Sequence, residues 1–147
     1  MSQESDLEGA KTQVALEEAF AEEARLVFRY LYYATIAEFE GKEELAAAFR
    51  ELAEGGLMNV HGCLDYLKLA RDPDSRLPIG STAANLQSLL QTEVRQFNQL
   101  YPERARQARS EGFTDVASWF DTLEKLKRAH ARKLRELEKK DEKEPRG

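Results

Sequence analysis

The segment "RDPDSRLPIGST", Arg71 to Thr82, decides how this chain folds. It holds two prolines and a glycine, so no helix runs through it, and extended at about 3.3 Å per residue it reaches roughly 40 Å. That is the length of a whole long helix. On either side lie stretches of helical composition, with nothing that alternates at strand period. A glycine divides each stretch. Gly41 separates a helix A over about Thr12–Phe39 from a helix B over about Glu43–Ala70; Gly112 separates a helix C over about Thr82–Ser110 from a helix D over about Thr114–Lys139. The A–B and C–D connections are tight enough for antiparallel hairpins. The expected fold is all-α, a four-helix bundle with one long crossover between helices B and C. Ser81 or Thr82 should cap helix C, Thr114 with Asp115 should open helix D, and Pro102 should kink helix C. Residues 1–11 read as an N-terminal tail, 12–139 as the bundle and 140–147 as a charged C-terminal tail, the run "KKDEKEPRG" being solvated or disordered.

Composition narrows the function classes. With 147 residues, 41% of them hydrophobic, the chain suits one domain with a single core. A net charge of −5, with Lys and Arg interspersed among Glu, argues against a nucleic-acid surface. No apolar run is long enough to span a bilayer, and "MSQESDLEGA" lacks the basic and apolar regions of a signal peptide, so a cytoplasmic protein without membrane contact is expected. The lone Cys63 excludes an intramolecular disulfide, and without a CxxC pair a thiolate-held iron or zinc module is excluded as well.

Writing each apolar stripe at 3-4 spacing exposes an anomaly. Helix A gives Leu16, Phe20, Glu23, Val27, Tyr30 and Ala34. Helix B gives Leu45, Phe49, Leu52, Gly56, Asn59, Cys63 and Tyr66. Helix C gives Leu86, Leu89, Glu93, Gln96 and Leu100, and helix D gives Val116, Phe120, Leu123, Lys127, His130, Leu134 and Leu137. Every stripe is apolar at its ends and interrupted in the middle. In a bundle of antiparallel hairpins, Glu23, Asn59, Glu93, Gln96, Lys127 and His130 are expected to converge in one buried polar layer.

The stretches "AFAEEARLVFRYLYYATIAEFEG", "AEGGLMNVHGCLDYL", "LPIGSTAANLQSLLQTE", "LYPERARQARSEGF" and "WFDTLEKLKRAHARKL" resemble, in order and spacing, the ferritin-like domain of rubrerythrins over roughly residues 15 to 137. That resemblance implies a di-iron peroxidase or oxidase bundle and a homodimer. Helix A would supply a Glu, helix B a Glu-x-x-His, helix C a Glu-x-x-Glu and helix D a second Glu-x-x-His. Carried over position by position, Glu23, Glu93 and His130 are kept. The other family ligand positions hold Gly56, Asn59, Gln96 and Lys127.

Clustered carboxylates in a core repel one another, and metal cations are what make such a cluster tolerable. Here Lys127 puts an ammonium where the family resemblance places a bridging carboxylate, and Asn59 and Gln96 offer neutral hydrogen bonds instead. Glu54 and His61 lie on the outer face of helix B, and Cys63 reads as a small core residue. Tyr30 and Tyr101 match tyrosines that flank the family's iron site and equally suit a core. Gly55 and Gly56 permit close helix packing or open a pocket.

Three functional readings follow. In the first, this is a non-metallated rubrerythrin-like pseudoenzyme with no cofactor, kept as a scaffold, regulator or partner-binding module. In the second, Lys127, Glu23, Glu93 and His130 form a metal-independent catalytic or ligand-binding core. In the third, Glu23, Glu93 and His130 retain weak or partial iron for peroxide reduction or iron storage. A homodimer is expected in each case, with Leu26, Tyr33, Ile36 and Phe39 available for contact and exchange of hairpins through the 71–82 connection as one form of it. Restoring all four lost ligands should need little backbone adjustment.

Overall fold

In the computed structural model, which describes residues 6–144, the chain is all-α and ferritin-like, with no strand among the described residues. Its elements are α1 (Lys11–Phe39), α2 (Glu43–Leu67), α3 (Thr82–Arg95), a π-helical turn (Gln96–Leu100), α4 (Tyr101–Ser110) and α5 (Thr114–Lys143). Helix C of the sequence reading is thus α3, the π-helical turn and α4 run together. The chain divides into two compact units, one up to Pro73 and one from Asp74. Each is a helical hairpin: α1 packs on α2, and the α3–α4 arm packs on α5. None of the described helices is long and apolar enough to cross a membrane.

The two hairpins follow one plan. Each first arm ends in a glycine at positive φ, Gly41 at 76° and Gly112 at 87°. Around each, the same pair of hydrogen bonds closes the helix: Gly41 N donates to Glu38 O and Lys42 N to Ala37 O, and Gly112 N donates to Arg109 O and Phe113 N to Ala108 O. This is the double closure that glycine permits at a helix C-terminus. Tyr30 meets the Phe49 ring at 6.2 Å in the first hairpin, and Tyr101 stacks on Phe120 at 6.1 Å in the second. Even the ion pair across each hairpin end recurs, with its charges exchanged: Glu38 with Arg50 at 2.7 Å, and Arg109 with Asp121.

The π-helical turn is where the plans differ. Pro102 has no N–H, and in a regular helix its ring would press on the carbonyl four residues back. The chain takes a wider turn there, with Tyr101 N donating to Gln96 O, five residues back. The expected kink at Pro102 is met by that insertion.

Both seams are lined by small residues. Ala34, Ala37, Ala46 and Ala53 are buried in the first hairpin, and Ala105, Ala108, Ala117 and Ala131 in the second. Alanines let two helices approach closely, and the larger apolar side chains are pushed to the flanks. The stripes expected on α2 and α5 are therefore turned by one position. On α2 the seam follows Ala46, Ala53, Val60 and Leu67, and the expected core residues Leu45, Leu52 and Tyr66 stand beside it, each more than half exposed. On α5, Ala117 and Ala131 are buried where Val116 and His130 were expected.

Element ends differ modestly from the sequence reading. Helix α2 stops at Leu67, and Lys68 to Ala70 form turns ahead of Pro73. Ser81 caps α3 by accepting from Ala84 N at 3.1 Å, whereas α5 starts at Thr114 without a side-chain cap. Helix α5 continues to Lys143, which corrects the reading of "KKDEK" as unstructured: Glu and Lys are good helix formers, and Lys140 and Lys143 suit the negative end of the helix dipole. Residues 145–147 of that expected tail, and 1–5 of the N-terminal one, lie outside the described residues. The connection is anchored to α3, with Ser75 Oγ 2.6 Å from Ser88 Oγ and Gln91 Nε2 donating to Ser75 O at 3.3 Å.

Candidate functional site

The interrupting polar residues form two groups, one in each hairpin. In the first, an open groove of about 790 Å³ lies along the flank of the α1–α2 seam. Glu23 on α1 and Asn59 on α2 line it, with Leu26, Tyr30 and Leu52 supplying apolar walls. Glu23 is half-buried; Asn59, expected inside, is exposed because it sits on the flank heptad with Leu52 and Tyr66. The floor is set by Gly56. A Cβ added there would come within 2.8 Å of Val27 Cγ2, so at this level the two helices are as close as glycine allows. Beside it, a Cβ on Gly55 would meet nothing within 4 Å.

In the second hairpin, α3 carries Glu93, the π-helical turn begins with Gln96, and α5 carries Lys127 and His130 one turn apart. Lys127 Nζ donates to Glu93 Oε1 at 3.3 Å, and His130 Nδ1 lies 3.5 Å from Glu93 Oε2. Glu93 and Lys127 retain only 17% and 22% side-chain exposure, whereas His130 is 55% exposed and reaches the carboxylate from outside. Within its hairpin, His130 occupies the flank heptad of α5 as Asn59 does that of α2, beside the more enclosed Glu93–Lys127 pair. Two acceptors are left over: Glu93 Oε2 and Gln96 Oε1 are shielded from solvent and receive no hydrogen bond among the described residues. Orphaned acceptors of this kind cost free energy unless a donor arrives.

The fold and these positions define a ferritin-like helical protein. No protein-family profile matches the chain. Among curated proteins it is similar to rubrerythrin of Porphyromonas gingivalis, 33% identical over 86% of this chain and 66% of that protein. It is also similar to rubrerythrin of Clostridium perfringens, 30% identical over 90% of this chain and 72% of that protein, and to rubrerythrin-1 of Clostridium acetobutylicum, at 29% over 89% and 71%. The chain belongs to the rubrerythrin family, and it spans about two thirds of the length of these relatives.

The di-iron ligand set that membership implies does not fit the residues present. Lys127 occupies Glu93 Oε1 with an ammonium, which a metal cation at that oxygen would have to displace against like charge. At the family's Glu-x-x-His positions on α2 stand Gly56, which has no donor atom, and Asn59. No group of three or more His, Cys, Asp or Glu placed to hold a metal ion occurs among the described residues. Two features went unseen in the sequence, the orphaned oxygens and the turn that sets the position of Gln96; the close packing offered for Gly56 is found, with Val27 as its partner. A glycine pair on a core stripe was the signal for that packing, and Pro102 the available signal for the turn.

Proposed function

We propose that this chain is a non-metallated member of its family, a pseudoenzyme kept as a homodimeric scaffold that binds or regulates a partner protein. One observation carries the reading: Lys127 lies 3.3 Å from Glu93, neutralising from within the chain a carboxylate position that the family uses for iron. Glu23 and Asn59 in the first hairpin, and Glu93, Gln96, Lys127 and His130 in the second, are read as the family's ligand positions and their neighbours, now without a metal role. Exchange of hairpins between copies through the 71–82 connection is one route to the dimer. Metal analysis after expression in iron-replete medium tests the reading. The expected result is well under one iron per chain; two tightly held irons per chain would overturn it.

A second reading draws support from the groove beside Glu23 and from the two orphaned acceptors, which suit a small ligand with a cationic or hydrogen-bond-donating head. In that case the Lys127, Glu23, Glu93 and His130 core binds or transforms a molecule without metal. Intact-mass spectrometry of the purified chain, under denaturing and native conditions, would show a modified Tyr or Lys, or a retained ligand.

A further inference from the structure

Along α5 runs a line of six cations: Lys125, Arg128, Arg132, Arg135, Lys139 and Lys143. They follow one another at steps of three or four residues that average one helical turn, so the line keeps to one side of the helix for about 27 Å. All six are exposed. Arg128 pairs with Glu124 at 2.9 Å and lies 4.8 Å from the centre of the Phe97 ring. The other five side chains make no ion pair or hydrogen bond among the described residues.

The fold does not ask for this line. Each successive pair puts like charges on adjacent turns, which weakens a helix rather than supporting it. The dipole at the C-terminus of α5 favours Lys143, but its influence fades within the last turn and does not reach Arg132 or Lys125. A face kept only for solubility mixes its signs, as the outer face of α1 does by setting Glu18 and Glu22 beside Arg25 and Arg29.

We propose that the line binds a helix of a partner protein that carries carboxylates at the same 3-4 spacing. The inference rests on the partner-binding reading of the preceding section, and it names the surface used and the chemistry of the partner. Spacing selects a helix. Steps of three and four residues set successive cations about 4.5 and 6 Å apart along the axis, and glutamates at those steps on a second helix repeat the same rise. Every carboxylate then meets a cation in register. An extended acidic chain repeats its same-face side chains at roughly 6.6 Å and drifts out of register within a few residues. Width selects a helix too. Glu136 borders the line on one side and Glu142 on the other. A duplex nucleic acid would lay phosphates over both carboxylates, whereas a single acidic line fits between them. No large apolar side chain is interleaved with the cations, so the line has nothing to insert into an acyl layer.

Fluorescence anisotropy on the whole chain tests the proposal. The probe is a labelled, alanine-rich synthetic helix of about six turns, with one glutamate for each cation of the line. Its control has the same composition with the glutamates distributed around the helix. In about 0.1 M salt, where charges more than about 10 Å apart are screened, the first peptide should bind at least about tenfold more tightly than the second. Arg132→Glu should weaken it at least about fivefold. The same charge change at Lys133, exposed on the same helix but off the line, should weaken it less than about twofold. Arg132→Glu turns like-charge contacts with Arg128 and Arg135 into opposite-charge ones, so its thermal midpoint should not fall. Arg135→Glu makes the same exchange with Arg132 and Lys139 and serves as a second variant, circular dichroism verifying the fold of each. Equal binding of the two peptides, or equal effects at positions 132 and 133, would overturn the proposal. So would tighter binding of a duplex DNA of about 20 base pairs, or of phosphatidylglycerol vesicles, either of which would give the line to another class of partner. None of these outcomes alters the iron content, on which the non-metallated reading stands or falls.

Discussion

Gly56 lies against Val27 so closely that a methyl group in place of its hydrogen would stand 2.8 Å from Val27 Cγ2. Val27 is only 2% exposed and, being β-branched, has little rotamer freedom with which to yield. Gly56→Ala should therefore destabilise the fold by about 1–3 kcal/mol, the overpacking cost exceeding the roughly 1 kcal/mol gained in helix propensity. Gly55→Ala, one residue away in open space, should stabilise it by about 1 kcal/mol. Urea denaturation of the two variants distinguishes them by sign.

Lys127 and Glu93 form a largely buried ion pair in the second hairpin. Replacing Lys127 with Met leaves the carboxylate only the distant His130 contact. Because both side chains keep some solvent access, the expected loss is about 2 kcal/mol, below the roughly 3 or more that breaking a fully buried pair costs. Glu93→Gln combined with Lys127→Met should be milder than the sum of the single changes, and a double-mutant cycle by denaturation measures the coupling.

The restoration of iron binding needs one change beyond the ligands. Gly56→Glu, Asn59→His, Gln96→Glu and Lys127→Glu supply the family's donor atoms, but the first cannot be placed against Val27 without forcing α1 from α2. The four-fold variant should be poorly folded; adding Val27→Ala should relieve the contact. Only the five-fold variant is then expected to gain thermal stability from ferrous iron, by binding linkage. Equal insensitivity of both to iron would show that the ligand positions no longer converge.

The hydrogen bond from Arg50 holds the Glu38 carboxyl below its ordinary value of 4.5. A carboxyl depressed in the folded state contributes stability above its unfolded value, and that contribution is lost as pH falls through the folded one. Arg50→Ala should therefore return the Glu38 titration, followed by NMR, toward 4.5 and remove that part of the acid limb. Since Arg109 and Asp121 make the same pair with charges exchanged, Glu38→Arg with Arg50→Asp should be tolerated better than either change alone.

Much of this was legible in the sequence. Gly41, Gly112 and the proline-rich 71–82 connection marked the helices to within a few residues, because a left-handed glycine and a missing N–H have only local solutions. Which face of α2 and α5 forms the seam was not legible. A stripe chosen by hydrophobic bulk selects Leu45 and Leu52, whereas two helices in close contact bury the smallest residues they have, Ala46 and Ala53. Glu93 and Lys127 stood out because both depart from the apolar pattern at matching levels, but whether Lys127 would meet Glu23 or Glu93 was not legible. Asn59 and His130 share the flank that this rotation turns away from the seam of each hairpin.

The π-helical turn acts as a phase slip in an otherwise repeated design. Counted from the matched Gly41 and Gly112, Tyr30 and Tyr101 fall at the same distance, while Glu23 and Glu93 differ by one residue. The surplus residue is stored between Gln96 and Leu100, where a five-residue hydrogen bond takes the place of a four-residue one. Loss of a residue elsewhere in an arm would rotate everything beyond it by about 100° and scramble its seam. Here the loss would merely close a wide turn into a regular one, provided Pro102 gave way to a leucine like Leu31 at the matching place. The second arm thus holds a reading-frame allowance, a spot where its length can change while Glu93 and Tyr101 keep their headings.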